Sequence, residues 1–161
     1  MGFGVYKVKA RKMVNKKIES YIREYPLTYV NIDVNGKTVL DIGADVGTSA
    51  EWFIKQGAKR VICFSLEEQE IFDERIEWHG KWNGEYVKAD VLKIDCEGCE
   101  CLLTQEVIEK YSEYYIAIHT FAQCFLKLKE YLQKNANIIF ITPDKKEEMY
   151  ISKFGIIEKV E

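Results

Sequence analysis

Two short stretches of the chain hold the side chains best placed to do chemistry. In the first, Val39-Leu40-Asp41-Ile42-Gly43-Ala44-Asp45-Val46-Gly47, an apolar run passes through an acid into a turn bracketed by glycines. A buried strand that feeds a Gly-rich turn and then a helix points backbone amides at a ligand and lets it approach closely. Taken alone, the pattern also suits an ordinary strand-to-helix turn. The second stretch, Val91-Leu92-Lys93-Ile94-Asp95-Cys96-Glu97-Gly98-Cys99-Glu100, places Asp95 at the carboxyl end of an apolar run, with Glu97 and Glu100 around a Gly98 turn. Open α/β sheets bind their ligands at that end of the strands, and a carboxylate there can serve as a general base. The less favoured alternative is that Glu97 and Glu100 cap the following helix.

His119 ends the next apolar run and would stand beside Asp95 at the same sheet edge, as a base or a substrate contact, although a lone histidine at a strand end also serves structure. His79, next to Gly80, reads as a favourable partner for a helix end. Cys96, Cys99 and Cys101 have a C-x-x-C-x-C spacing, but no second pair or histidine pair completes a zinc site, so no metal is expected there. Five cysteines is an odd count, and no signal peptide accompanies them. Reduced thiols are therefore expected rather than a disulfide framework.

These residues must be carried by regular elements. Ile18, Tyr21, Ile22 and Tyr25 recur at helical spacing behind Asn15, and Pro26 disfavours helix in the residue before it, so an amphipathic helix is predicted there. Residues 29–34 alternate apolar and polar before the Asn35-Gly36 turn pair, predicting a hairpin-like entry. Residues 37–42 form a strand, 48–56 a helix stopped by Gly57, and 60–64 a second strand, which together make one right-handed βαβ unit. Ile71, Phe72, Arg75 and Ile76 mark a helix over 66–79, and Trp82-Asn83-Gly84 a turn. Residues 85–94 are strand-like. Leu102, Leu103, Val107 and Ile108 mark a helix, 114–118 a strand, and Phe121, Cys124, Phe125, Leu128 and Leu132 another helix. Residues 138–142 form a strand, and 149–160, around Gly155, an antiparallel edge strand. The predicted class is α/β, a doubly wound, mostly parallel sheet with helices on both faces.

Residues 36–67 resemble motif I and its sequel in class I S-adenosylmethionine-dependent methyltransferases. The block Lys93-Ile94-Asp95-Cys96-Glu97-Gly98-Cys99-Glu100 resembles the lysine-hydrophobic-aspartate-x-glutamate-glycine-x-glutamate ending of the fourth strand in the FkbM-type branch of that family. Together the two blocks carry the resemblance over residues 36–119. It implies a Rossmann-like fold, S-adenosylmethionine as cofactor, and O-methylation of a small-molecule or sugar-like hydroxyl. Asp41 would face the cofactor, and the loop from Gly43 through Ala44 to Gly47 would wrap its methionine part, with Asp45 and Thr48 as polar contacts. The acid that takes the ribose ordinarily follows the aromatic residue ending the second strand. Here that place in Phe64-Ser65-Leu66-Glu67 belongs to Ser65, and Glu67 is displaced by two positions. Asp95, His119 and Glu97 are the catalytic candidates, with the acceptor hydroxyl near Asp95 and His119. Cys96 and Cys99 would be variants at small-residue positions of the turn.

The region that should build the adenine side is short. Residues 85–90 could be a third strand ending in the customary acid, Asp90, which makes Asp90 a cofactor candidate, but Val91 follows at once and parallel neighbours need a crossover. The simplest expectation is one strand over 86–94 and the loss of a strand-helix unit, for which homodimerisation could compensate; Trp78, Trp82, Tyr86, Tyr114 and Tyr115 suit such an interface, although an aromatic-rich core is their commoner explanation.

At 161 residues, 47% hydrophobic and 30% charged, the chain suits one globular domain, residues 36–161, preceded by a basic arm and helix over residues 1–35. Its apolar runs are strand-sized, so membrane insertion is not expected and a cytoplasmic location is. A net charge of -3 argues against nucleic acid except through Lys7, Lys9, Arg11, Lys12, Lys16 and Lys17 in the arm. The rival to an enzyme is a non-catalytic binding protein on a reduced methyltransferase scaffold.

Overall fold

The computed structural model describes residue 19 and residues 23–152. The basic arm, most of the predicted first helix and residues 153–161 lie outside the described residues. Seven strands form one sheet: β1 (Thr38–Ile42), β2 (Arg60–Phe64), β3 (Ile76–His79), β4 (Val91–Ile94), β5 (Glu113–His119), β6 (Ala136–Ile141) and β7 (Glu147–Ser152), in the order β3-β2-β1-β4-β5-β7-β6. β1 to β5 pair in parallel, and β7 is antiparallel to both β5 and β6. The helices are α1 (Thr48–Lys55), α2 (Gln105–Glu109) and α3 (Phe125–Asn135), with 3-10 turns at Tyr25–Leu27, Tyr29–Asn31 and Cys99–Leu102.

β1, β4 and β5 are almost continuously apolar, as strands covered on both faces must be. Alternate residues then go to opposite sides. Val39, Val61, Val91, Tyr115 and Ala117 pack with Phe53 of α1 and with Tyr25 and Tyr29. Leu40, Ile62, Leu92, Ile116 and Ile118 pack with Ile108 of α2 and with Leu128 and Leu132 of α3. Helices therefore cover both faces, as the doubly wound reading expects. Among the described residues no helix is long and apolar enough to cross a membrane.

Four expectations need correction. Residues 66–79 are not a helix: 65–75 run without regular structure and Ile76–His79 form β3. Phe72 is 75% exposed, so the helical spacing of apolar residues had no face to bury, while the free edge of β2 offered a hydrogen-bonding row that Ile76–His79 pair with. No strand is missing, because what the chain lacks is a helix in each of the connections 65–75 and 80–90. The second connection is tied by Trp82 Nε1 donating to the Glu85 carbonyl at 3.0 Å and by Tyr111 donating to that of Val87 at 2.7 Å, which leaves only Val91–Ile94 of the expected longer strand.

Residues 29–34 are likewise not a strand. Asn31 Nδ2 donates back to the carbonyls of Leu27 and Thr28, and the local bonds close a 3-10 turn over Tyr29–Asn31. Finally, the antiparallel C-terminal strand is not at the edge. β7 starts at Glu147 and inserts between β5 and β6, so β6 is the outer strand. The remaining elements lie within a few residues of their predicted places.

Candidate functional site

A cavity of about 480 Å³ opens at the carboxyl ends of β1, β2, β4 and β5. One wall comes from the turn after β1 and the start of α1, with Gly43, Asp45, Thr48 and Ser49. Ser65, Leu66 and Glu67 after β2 and Gly80, Lys81 and Trp82 after β3 continue that wall. The opposite wall is Asp95, Cys96, Glu97 and Cys99 after β4, His119 at the end of β5, and Glu147 at the start of β7. Glu24, Tyr25 and Tyr29 close the top, where Tyr25 donates to Thr48 Oγ1 at 3.0 Å.

The turn after β1 is shaped by its neighbours. A Cβ on Gly43 would overlap the Asp95 carbonyl, so this glycine lets the β1 and β4 turns touch, and clearance for a ligand is not its first duty. Gly47 adopts φ +113 with Ile71 against it, and the amides of Glu70 and Ile71 donate to the Val46 carbonyl. The irregular 65–75 segment is thereby stapled to the turn.

Several expected site residues stand elsewhere. Asp41 does not line the cavity. It is fully buried, accepts from Lys93 Nζ at 2.8 Å and from Ser49 Oγ at 2.5 Å, and so is a support beneath the cavity floor. Lys93, only 2% exposed, also donates to the Gly43 carbonyl at 3.0 Å, and although burial pulls its pKa down, the Asp41 charge leaves it raised. Ala44 is buried and spends its amide on the Phe64 carbonyl. Asp90 is at the opposite, amino end of β4, where its carboxylate takes the Thr38 amide at 2.8 Å. Ser65 does face the cavity, but its hydroxyl donates to the Asp45 carbonyl and accepts the Glu67 amide, which anchors Glu67 at the rim.

Asp95 and His119 are brought together, with His119 Nε2 3.8 Å from Asp95 Oδ1. Glu97 is exposed at the mouth, with φ +52. Glu100 does more than cap the short 3-10 turn Cys99–Leu102. Fully buried, it accepts from the Gly98 amide at 2.6 Å, from the His119 amide at 2.9 Å and from His119 Nδ1 at 3.0 Å. Burial pushes the Glu100 carboxyl up, but those bonds outweigh it and hold it below the usual range. An ionised carboxylate only accepts, so Nδ1 carries the hydrogen and Nε2 faces Asp95 and Glu147.

Glu147 is a wall residue that the sequence reading did not single out. It lies opposite His119 in the β5–β7 register, with Oε1 3.7 Å from His119 Nε2. Burial and then the Asp95 charge push its carboxyl up to about 8. Burial pulls the His119 imidazole down, but the Glu100 bond and the charges of Asp95 and Glu147 raise it to about 8. Glu24 is raised in the same way, by burial and then Asp95. Lys93 lies inside the resembling motif without an assigned role, and the strand expected from Met149 starts two residues earlier, at Glu147.

The cysteines are paired rather than reduced, as Cys96–Cys99 and Cys101–Cys124, with Cys63 free and buried. Proximity decides this. The 3-10 turn brings Cys96 and Cys99 together, and the start of α3 carries Cys124 onto Cys101. Both bridges flank the acidic wall.

The chain is 35% identical over 144 residues to protein 65 of Sulfolobus islandicus filamentous virus (isolate Iceland/Hveragerdi), with 83% of this chain and 90% of that protein covered. It is 36% identical over 143 residues to protein 158B of Sulfolobus islandicus rod-shaped virus 1, covering 81% and 90%. The chain belongs to the family of these two viral proteins. No family model matches it. Solved structures similar to this member of the viral family share its fold at low identity. A candidate hemolysin from Lactococcus lactis matches at TM-score 0.55 and 18% identity, with 90% of each chain covered. A candidate ribosomal RNA methyltransferase from Plasmodium falciparum matches at TM-score 0.56 and 14% identity, covering 86% of this chain and 97% of that one. Aeropyrum pernix fibrillarin, in complex with S-adenosyl-L-methionine, matches at TM-score 0.53 and 13% identity, covering 75% and 68%. The fold is thus the Rossmann-like methyltransferase fold.

Proposed function

We propose that this viral family member is an S-adenosylmethionine-dependent methyltransferase acting on a hydroxyl of a small-molecule or sugar-like acceptor. The observation that carries the reading is a single cavity that joins the Gly43 to Ser49 wall to the Asp95 and His119 wall at the carboxyl edge of the parallel strands. Its volume of about 480 Å³ lies within the range of small-molecule sites. The lining fits a cationic ligand, since among the described residues Glu24, Glu67, Asp95, Glu97 and Glu147 face one space that holds only two lysines, Lys81 and the already paired Lys93.

When bound, the cofactor supplies a methyl group on a positively charged sulfur. The Gly43 to Ser49 wall would hold its methionine part through the side chains of Asp45, Thr48 and Ser49. Glu67 takes the ribose, and Leu66, Lys81 and Trp82 flank the adenine. Asp95 and His119 would hold the acceptor hydroxyl towards the methyl group that the cofactor supplies, and Asp95 would take the proton that this hydroxyl gives up on methylation. Glu97, at the mouth, contacts the rest of the acceptor.

Calorimetric titration of the purified protein with S-adenosylmethionine tests the reading. A saturable heat is expected, with affinity about tenfold weaker in Glu67→Ala, the loss of one hydrogen-bonded carboxylate contact. A folded wild-type protein that gives no heat removes the transferase and leaves a binding protein on the same scaffold.

A further inference from the structure

We propose that Asp95, His119 and Glu147 form a divalent-cation site of the Mn2+ type within this cavity. One ligand atom from each residue lies within 4.8 Å of the others, and His119 Nε2 is 3.7 Å from Glu147 Oε1 and 3.8 Å from Asp95 Oδ1. Donors about 2.1 Å from a shared ion stand about 3.0–3.4 Å apart, so each of these two pairs would close by less than about 1 Å to share one.

Two observations separate this cluster from an incidental group of acids. First, two of the polar atoms aimed into it make no hydrogen bond among the described residues. Among the described residues Glu147 Oε1 is enclosed without a hydrogen-bond partner, and the side chain of His119 is 7% exposed while Nε2 makes no hydrogen bond. A buried acceptor left without a partner costs free energy that a ligand can recover.

Second, the histidine is oriented from behind. Glu100 Oε1 takes Nδ1–H at 3.0 Å and the His119 amide at 2.9 Å, the carboxylate–histidine arrangement that fixes the tautomer and aims Nε2 at a metal. The strand register supplies the geometry, because β7 runs antiparallel to β5 and puts Glu147 directly opposite His119. One imidazole and two carboxylates suit a borderline-to-hard ion such as Mn2+, and three protein ligands leave positions for substrate oxygen.

The binding claim stands without the transferase reading, but the role of the ion rests on it. The acceptor oxygen would enter an open coordination position, the ion would stabilise the developing alkoxide, and the second oxygen of Asp95 would take the proton.

The test uses the full chain, freed of metal with a chelator and dialysed, and titrated with Mn2+ while the electron paramagnetic resonance signal of free Mn2+ is followed. Mn2+ avoids the thiolate preference of softer ions. One equivalent per chain should be bound, and His119→Gln and Glu147→Gln should each weaken binding by about tenfold or more. Circular dichroism establishes that the variants are folded, and either one that folds suffices. Undiminished free Mn2+ with wild type, or equal binding by a folded variant, overturns the site. Calorimetry with S-adenosylmethionine on the same sample separates the claims: heat without Mn2+ uptake overturns the cation site alone, and Mn2+ uptake without heat overturns the transferase alone.

Discussion

Asp41–Lys93 and Asp95–His119–Glu147 are two charged groups on neighbouring parts of one sheet edge, and they are built on opposite principles. In the first every charge is spent. Lys93 bonds Asp41 and the Gly43 carbonyl, Asp41 also takes Ser49, and both side chains are almost wholly enclosed. In the second the acids outnumber the single imidazole, Glu147 Oε1 has no hydrogen-bond partner among the described residues, and burial and like charge push the Glu147 carboxyl up to about 8. A buried pair that satisfies itself has nothing left for a ligand, whereas an unsatisfied group at a cavity wall does. The comparison moves Asp41 from the binding surface to its foundation and adds Glu147 to the wall.

The largest expected effect breaks the first group. Lys93→Ala leaves the Asp41 carboxylate buried and unpaired, and denaturant unfolding should show a loss of about 3–5 kcal/mol. Lys93→Met combined with Asp41→Asn should recover most of it. An unchanged unfolding midpoint for Lys93→Ala would remove the structural role given to the pair.

Next in size are the bridges beside the second group. Cys101–Cys124 spans a sequence separation of 23 and ties the Glu100 turn to the start of α3, so replacing both cysteines by alanine should cost about 3 kcal/mol. Cys96–Cys99, with a separation of 3, closes almost no loop, and its double alanine variant should unfold much closer to wild type. Equal losses from the two would show that the longer bridge does not act by restricting the unfolded chain.

The smallest effect sharpens the contrast. Glu147→Gln removes a carboxylate from a crowded acidic wall without emptying the space, and its unfolding free energy should stay within about 1 kcal/mol of wild type, as is common for groups kept for function. A loss as large as that of Lys93→Ala would make Glu147 part of the framework instead.

The legible part of this molecule is its local part. β1, the Gly43 to Gly47 turn, α1 and β2 follow one another within 27 residues, from Thr38 to Phe64, and each carries its own stop. Asp95 and His119 were legible for a related reason, because both end apolar strands of a parallel sheet. What escaped was decided by contacts between distant segments. Ile76–His79 pairs with β2 only because that edge is open, and the four residues alone read as the end of a helix. Glu147 reaches His119 through an antiparallel pairing across 28 positions, and Cys124 reaches Cys101 through the placement of α3. A turn signal did precede Glu147, in Pro143-Asp144-Lys145 with Lys145 at φ +57, and with the alternation after it the strand could have been started at the right residue. The role of Lys93 was open to a register argument, since it lies opposite Asp41 on the adjacent strand.

The central claim is that S-adenosylmethionine occupies the cavity between these two walls. Hydrogen–deuterium exchange of the full chain with and without S-adenosylmethionine locates it directly. Slowed exchange is expected at residues 43–49, 65–67 and 95–99, with β6 unaffected. A folded protein whose exchange is unchanged at all three segments, or slowed only elsewhere, would contradict it.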